Sequence, residues 1–160
     1  MPKTQTCIVE GTTPTMKTAD MYGCFMYAKA ENVLNGSDVN FAYAPIATAI
    51  RFTLQGPEAT STESSRSCAI QRIVLHAPIE ISGDFQIELA GNKPVITAVT
   101  GKTNKEVEVF ANNSKGSYLT LTTNQSIELN AFIFLDSSLS ETERTINDQW
   151  YLEVIVANDA

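Results

Sequence analysis

His76 is the single histidine of the chain and the first residue to weigh for chemistry. As the base of a Ser-His-Asp or Cys-His set it needs a nucleophile on one ring nitrogen and an orienting carboxylate on the other. Nothing local marks a nucleophile elbow, and His76 stands at the end of an alternating run close to Pro78, so it reads as an outward-facing strand residue. Paired carboxylates come next, because two of them flanking a bond can hydrolyse a glycoside. Glu106 and Glu108 share one strand face, and Glu80 and Glu88 are expected to meet across a hairpin. Such pairs ordinarily belong to the wet side of a sheet. Asp136, Glu141, Glu143 and Asp148 offer oxygens to a hard cation but lack the alternating ligands and glycine of a calcium loop. Cys7, Cys24 and Cys68 are odd in number and share no metal spacing, and with one histidine they make a poor zinc set. One disulfide with a spare thiol, or three buried free thiols, both fit them. Glycine-rich phosphate loops are absent. The sequence therefore nominates no catalytic, cofactor-binding or metal-binding residue, and the expectation is a protein that is not an enzyme.

Recognition is the other chemistry to test. Tyr22, Phe25, Tyr27, Phe41, Tyr43, Phe132, Phe134, Trp150 and Tyr151 have the makings of a sugar-binding platform. Most fall at strand spacing, which favours a core or inter-sheet role. Residues 55–68 (QGPEATSTESSRSC) form a long polar stretch that reads as a solvated loop, and as a binding or processing loop if it has a function.

The elements that must position these residues are strands. Ile50, Phe52 and Leu54 alternate with Arg51 and Thr53; Ile73 and Leu75 alternate with Arg72, Val74 and His76. The same period recurs at Phe85, Ile87 and Leu89, at Val107 and Val109, and at Leu152, Val154 and Val156. Successive side chains of an extended chain point to opposite faces, so each run predicts one apolar and one wetter face, as in an antiparallel sheet on a core. Turn residues separate the runs: Asn35-Gly36-Ser37, Gly56-Pro57, Ser82-Gly83-Asp84, Gly91-Asn92-Lys93-Pro94 and residues 112–116. Residues 79–89 read as a hairpin closed at Ser82-Gly83-Asp84. Helix is expected only within 138–146, where Ser140 and Glu143 have capping-box spacing.

At 160 residues the chain suits one ordinary domain, and 43% hydrophobic against 18% charged residues is enough for a core and too little charge for disorder. With 11 basic against 18 acidic residues the net charge is −7, which argues against a phosphate-binding face and hence against nucleic acid. No run of about 20 apolar residues is present to span a bilayer as a helix. The division expected is an N-terminal arm or edge strand over 1–19 and an antiparallel β-sandwich over 20–160, with Thr6 to Glu10 at an exposed edge.

Three stretches, in order, carry a likeness to a known family: residues 20–30 (DMYGCFMYAKA), residues 39–54 (VNFAYAPIATAIRFTL) and residues 69–77 (AIQRIVLHA) leading to 81–85 (ISGDF). Together they resemble the fimbrillin (Mfa-like) family of Bacteroidales surface proteins, the second stretch being similar to its paired strands, with Pro45 where many members have histidine. The resemblance implies a transthyretin-like sandwich of Greek-key type, the N-terminal domain of a longer two-domain subunit. It further implies export as a lipoprotein to the outer membrane and assembly with other fimbrial subunits by strand exchange. The expected function is thus a non-catalytic structural or adhesive subunit at the cell surface, with host proteins or glycans as further partners. A stand-alone carbohydrate- or host-protein-binding module is the rival expectation, and an accessory domain of an enzyme is a third.

Overall fold

A computed structural model describes residues 1–10, 15–18, 24–89, 91, 93–112 and 118–157, and for 6–10, 15–18, 111 and 112 the backbone alone. Strands dominate it. In chain order they are β1 (Thr4–Glu10), β2 (Thr15–Thr18), β3 (Met26–Tyr27), β4 (Ala44–Pro45), β5 (Thr48–Gln55) and β6 (Ser67–His76). There follow β7 (Ser82–Glu88), β8 (Val95–Asn104), β9 (Glu106–Asn112), β10 (Leu119–Thr122), β11 (Ser126–Ile133) and β12 (Tyr151–Val156). Between β11 and β12 lies one helical turn, α1 (Glu141–Arg144), inside the 138–146 stretch where a short helix is expected. Its cap is the one its spacing predicts: the Ser140 hydroxyl accepts from the Glu143 amide, and the Glu143 carboxylate accepts from the Ser140 amide.

Eight strands join in one hydrogen-bonded sheet, seven along a path and β12 branching from β6, and the sheet folds over at β1 into two layers. In the first layer β6 is central. β12 runs antiparallel along one of its edges; β9, then β10, run antiparallel along the other. The second layer runs β5, β11, β2, with β11 antiparallel to β5 and parallel to β2. The protein is an all-β sandwich. Its core takes Ile73 and Leu75 from β6, Val107 and Val109 from β9, Phe52 from β5, and Ile127, Leu129, Ala131 and Ile133 from β11, with Trp150 beside them. Hydrophobic burial is the force that holds the layers together, roughly 1.5–3 kcal/mol for each large aliphatic side chain.

β11 is apolar on both faces at its far end. Phe132 and Phe134 point away from the main core into a second cluster with Ile96, Ala47, Phe85 and Ile87, where the β7–β8 hairpin covers the outer side of the second layer. Phe85 and Phe134 meet edge to face at 5.4 Å. A strand buried on both faces reads as a continuous apolar run, here Ala131 to Leu135, and not as an alternation.

Two expectations are corrected here. Ser82-Gly83-Asp84 does not close a hairpin: it opens β7, which runs on to Glu88 and pairs with β8. Gly83 has φ +96° and serves a bulge, its register partner being Thr103 while that of Phe85 is Ala98. Residues 39–54 do not form a strand pair with each other either, since β4 pairs with β3 and β5 pairs with β11.

Candidate interaction surface

β1 is the hinge of the sandwich. From Thr4 to Ile8 it pairs in parallel with β9 of the first layer, and at Val9 and Glu10 it pairs antiparallel with β2 of the second. The expected exposed edge at Thr6 to Glu10 is therefore replaced by a strand with neighbours on both sides in succession. Polar anchors hold its start. Gln5 is buried, and its carboxamide donates to the Phe132 carbonyl at 2.7 Å and accepts from the Phe132 amide at 2.9 Å. A side chain of the first layer thus serves as a ladder partner to β11 in the second. Lys3 pairs with Glu106 at 2.5 Å, and the hydrogen bond from Lys3 holds the Glu106 carboxyl below its usual value.

On the side away from β1 both layers end in strands, β12 and β5, that carry no partner on their outer edges among the described residues. They differ in what they present. β5 buries Phe52 and shows Thr48, Ala49, Arg51, Thr53 and Gln55 to solvent. β12 sets Leu152, Val154 and Val156 opposite Leu75, Ile73 and Ile70, all core residues, yet the three are 38%, 41% and 46% exposed. The second layer stops short of them.

His76 lies at the base of this edge. Its Nδ1 is 3.5 Å from Glu106 Oε2 on β9, its Nε2 is 3.4 Å from Glu153 Oε2 on β12, and its ring stacks on Tyr151 at 4.3 Å. The histidine is half-buried between three strands and not simply outward-facing. Each nitrogen faces a different acid, one on β9 and one on β12. Among the described residues no group of His, Cys, Asp and Glu is disposed to hold a metal.

The other nominated residues are dispersed. Glu106 and Glu108 do share a face of β9, flanking buried Val107, but Glu106 is engaged by Lys3 and His76. Glu80 precedes β7 and Glu88 ends it, so the pair does not meet across a hairpin. Of the acidic set, Asp136 accepts from the Ala98 amide at 2.7 Å and from the Ser138 amide and hydroxyl at 2.8 and 2.6 Å. Burial pushes its carboxyl up, but those hydrogen bonds and the Arg144 charge outweigh it and hold the group below its usual value. Glu143 is occupied in the helix cap and is held low by Ser140. Cys24 and Cys68 are half-buried free thiols. The side chain of Cys7 and all of Tyr22 lie outside the described residues, as do Asp20, Asn92, most of the 112–116 turn and residues 158–160.

The aromatics divide. Phe132, Phe134 and Trp150 are buried as expected. Against expectation Phe25, Phe41, Tyr43 and Tyr151 are exposed: Phe41 and Tyr43 lie in the irregular excursion of residues 28–43 between β3 and β4, Phe25 just before β3, and Tyr151 at the start of the edge strand β12. Phe41 and Tyr43 stand 6.4 Å apart, 53% and 66% exposed. Their strand-like spacing alone could not distinguish this from burial. The 55–68 loop is pinned at both ends: the Gly56 amide donates to Gln125, and Arg66 and Thr123 exchange backbone and hydroxyl bonds. Among the described residues no helix is long and apolar enough to cross a membrane.

In comparison with known proteins, no family model, no curated sequence and no solved structure matches the chain.

Proposed function

We propose that this chain is a non-catalytic structural or adhesive subunit of a bacterial surface fimbria, acting through strand exchange with other fimbrial subunits. In this reading the sandwich is transthyretin-like, forms the N-terminal domain of a two-domain lipoprotein subunit, and works at the outer-membrane surface. The observation that carries it is β1. A first strand held in parallel by a five-residue register to β9, and by two residues to β2, fills a slot between the layers. A strand of a neighbouring subunit placed there would restore the same backbone pairings, which is how an unpaired edge recruits a foreign strand. The order-matched likeness at 20–30, 39–54 and 69–85 supports the same assignment.

Limited proteolysis followed by mass measurement tests it. Cleavage in the region up to Lys17, with polymerisation that depends on the loss of β1, is the expected result. Polymerisation that proceeds with that region intact rejects it.

Phe41 and Tyr43 favour a second reading, a carbohydrate- or host-protein-binding module, since two exposed rings this close form a stacking surface. Glycan-array binding lost in Tyr43→Ala, without any assembly, favours the module. Trp150→Ala is no control for it, because Trp150 belongs to the core.

A further inference from the structure

We infer that β12 is a homotypic pairing edge: two copies of this chain join through antiparallel β12–β12 contact about a two-fold axis at Val154. The inference does not rest on the fimbrial reading, because β12 lies on the opposite side of the sandwich from β1.

Three observations lead to it. The first is an edge without a partner among the described residues, where Leu152, Val154 and Val156 belong to the core face of the first layer by their register with Leu75, Ile73 and Ile70 and yet remain 38–46% exposed. The second is the lack of guards. Edge strands are normally protected from pairing by lysines, prolines or inward-pointing charge. β12 has neither proline nor a basic residue, its one charge, Glu153, is on the other face beside His76, and the one irregularity in its pairing, at Ile155/Val156, skips a residue of β6 and not of β12, whose own alternation continues. The free edge of β5 carries Arg51 and an otherwise polar display.

The third is self-complementarity, which selects the occupant. Leu152, Val154 and Val156 form a pattern that reads alike in both directions about Val154. With the two-fold there, Leu152 lies opposite Val156 of the second copy and Val154 opposite its own equivalent. Tyr151 meets Ala157, and Glu153 meets Ile155. The axis stands perpendicular to the sheet, so the core faces of both copies stay on one side and six aliphatic side chains make one strip. Directly opposite side chains in such a pair approach to about 4.5–5.5 Å, close enough to shield one another from water. The two Glu153 carboxylates fall on a diagonal at about 7–8 Å and not face to face. A parallel arrangement, or a two-fold at Glu153, would bring like charges or mismatched side chains together.

Sedimentation velocity of the intact chain over a range of concentrations is the test. A concentration-dependent dimer is expected, abolished by Val154→Lys, which sets two ammonium groups against each other, and retained in Arg51→Glu on the β5 edge. Circular dichroism establishes that the lysine variant keeps its strands. Val154→Cys gives a readout that does not need the lysine variant to fold: mild oxidation should yield a 154–154 linked peptide, identified by mass, ahead of links through Cys7, Cys24 or Cys68. A wild-type chain that stays monomeric throughout overturns the inference. So does a dimer that survives Val154→Lys in folded form, or oxidation of the cysteine variant that gives links only through the native thiols.

Discussion

Gln5 shows how one polar side chain can substitute for a strand. β11 pairs with β2 only from Ser126 to Glu128, so at Phe132 the β2 side of the ladder is vacant and the carboxamide fills it. Gln5→Leu keeps the volume and removes both bonds, leaving a buried amide and carbonyl unpaired. The expected cost is about 1–3 kcal/mol for each group so stranded, read as a lowered urea midpoint with an unchanged slope. Asp136 makes a pH prediction. Its folded-state value is depressed, so its contribution to stability is complete above the ordinary carboxylate value near ~4 and is lost as pH falls through the lower folded value. Wild type should therefore exceed Asp136→Asn in stability at neutral pH, and the gap should close in acid, as denaturant titrations at several pH values will show. The role of neither residue was legible in the sequence. Gln5 and Phe132 are 127 positions apart, and no local pattern announces a side chain that completes a distant ladder.

At the scale of elements, legibility followed burial geometry. β5, β6 and β9 each pack one face and leave the other wetter or covered by a neighbour, and the period-two rule finds them; it finds β12 as well, by the pattern of its sequence and not by burial. β11 escapes that rule at its Phe132 end because both faces are packed, and β8 because a bulge interrupts its register near Gly101. Ser82-Gly83-Asp84 misleads for a related reason: a glycine with positive φ serves a bulge as readily as a turn. The need for glycine is nonetheless real. A Cβ at Gly83 would lie 2.3 Å from the Lys102 carbonyl oxygen, at a φ of +96°, so Gly83→Ala should destabilise by more than about 1 kcal/mol. Thermal unfolding measures this. Gly36→Ala, at positive φ but with nothing nearby, should cost less.

For the whole molecule, the sandwich class was readable from periodicity, while the identity of its free edges was not. Alternation says which residues face inward, but whether another layer reaches over them depends on how many strands each layer holds. Leu152, Val154 and Val156 are the case in point, core by pattern and open by architecture. The same architecture grades local stability. Amides of β6, which has strands along both edges, and of β11, which pairs with β5 throughout and with β2 and Gln5 on its other edge, should resist hydrogen exchange, while the outward amides of β5 and β12 should exchange early, as peptide-resolved exchange would reveal.

The parallel pairings of β1 with β9 and of β2 with β11 also have a consequence for synthesis. Thr4 finds its partner only at Glu108, and Thr15 only at Ser126. At a ribosomal pace of about 5–20 residues per second, the opening strands wait on the order of 5–20 s before their partners emerge. Such distant partnerships slow closure, because the entropy of a long loop must be overcome before the contact rewards it. A nascent chain that stops short of β9 thus carries its first strand without its partner, the state in which an unpaired strand is exposed to aggregation.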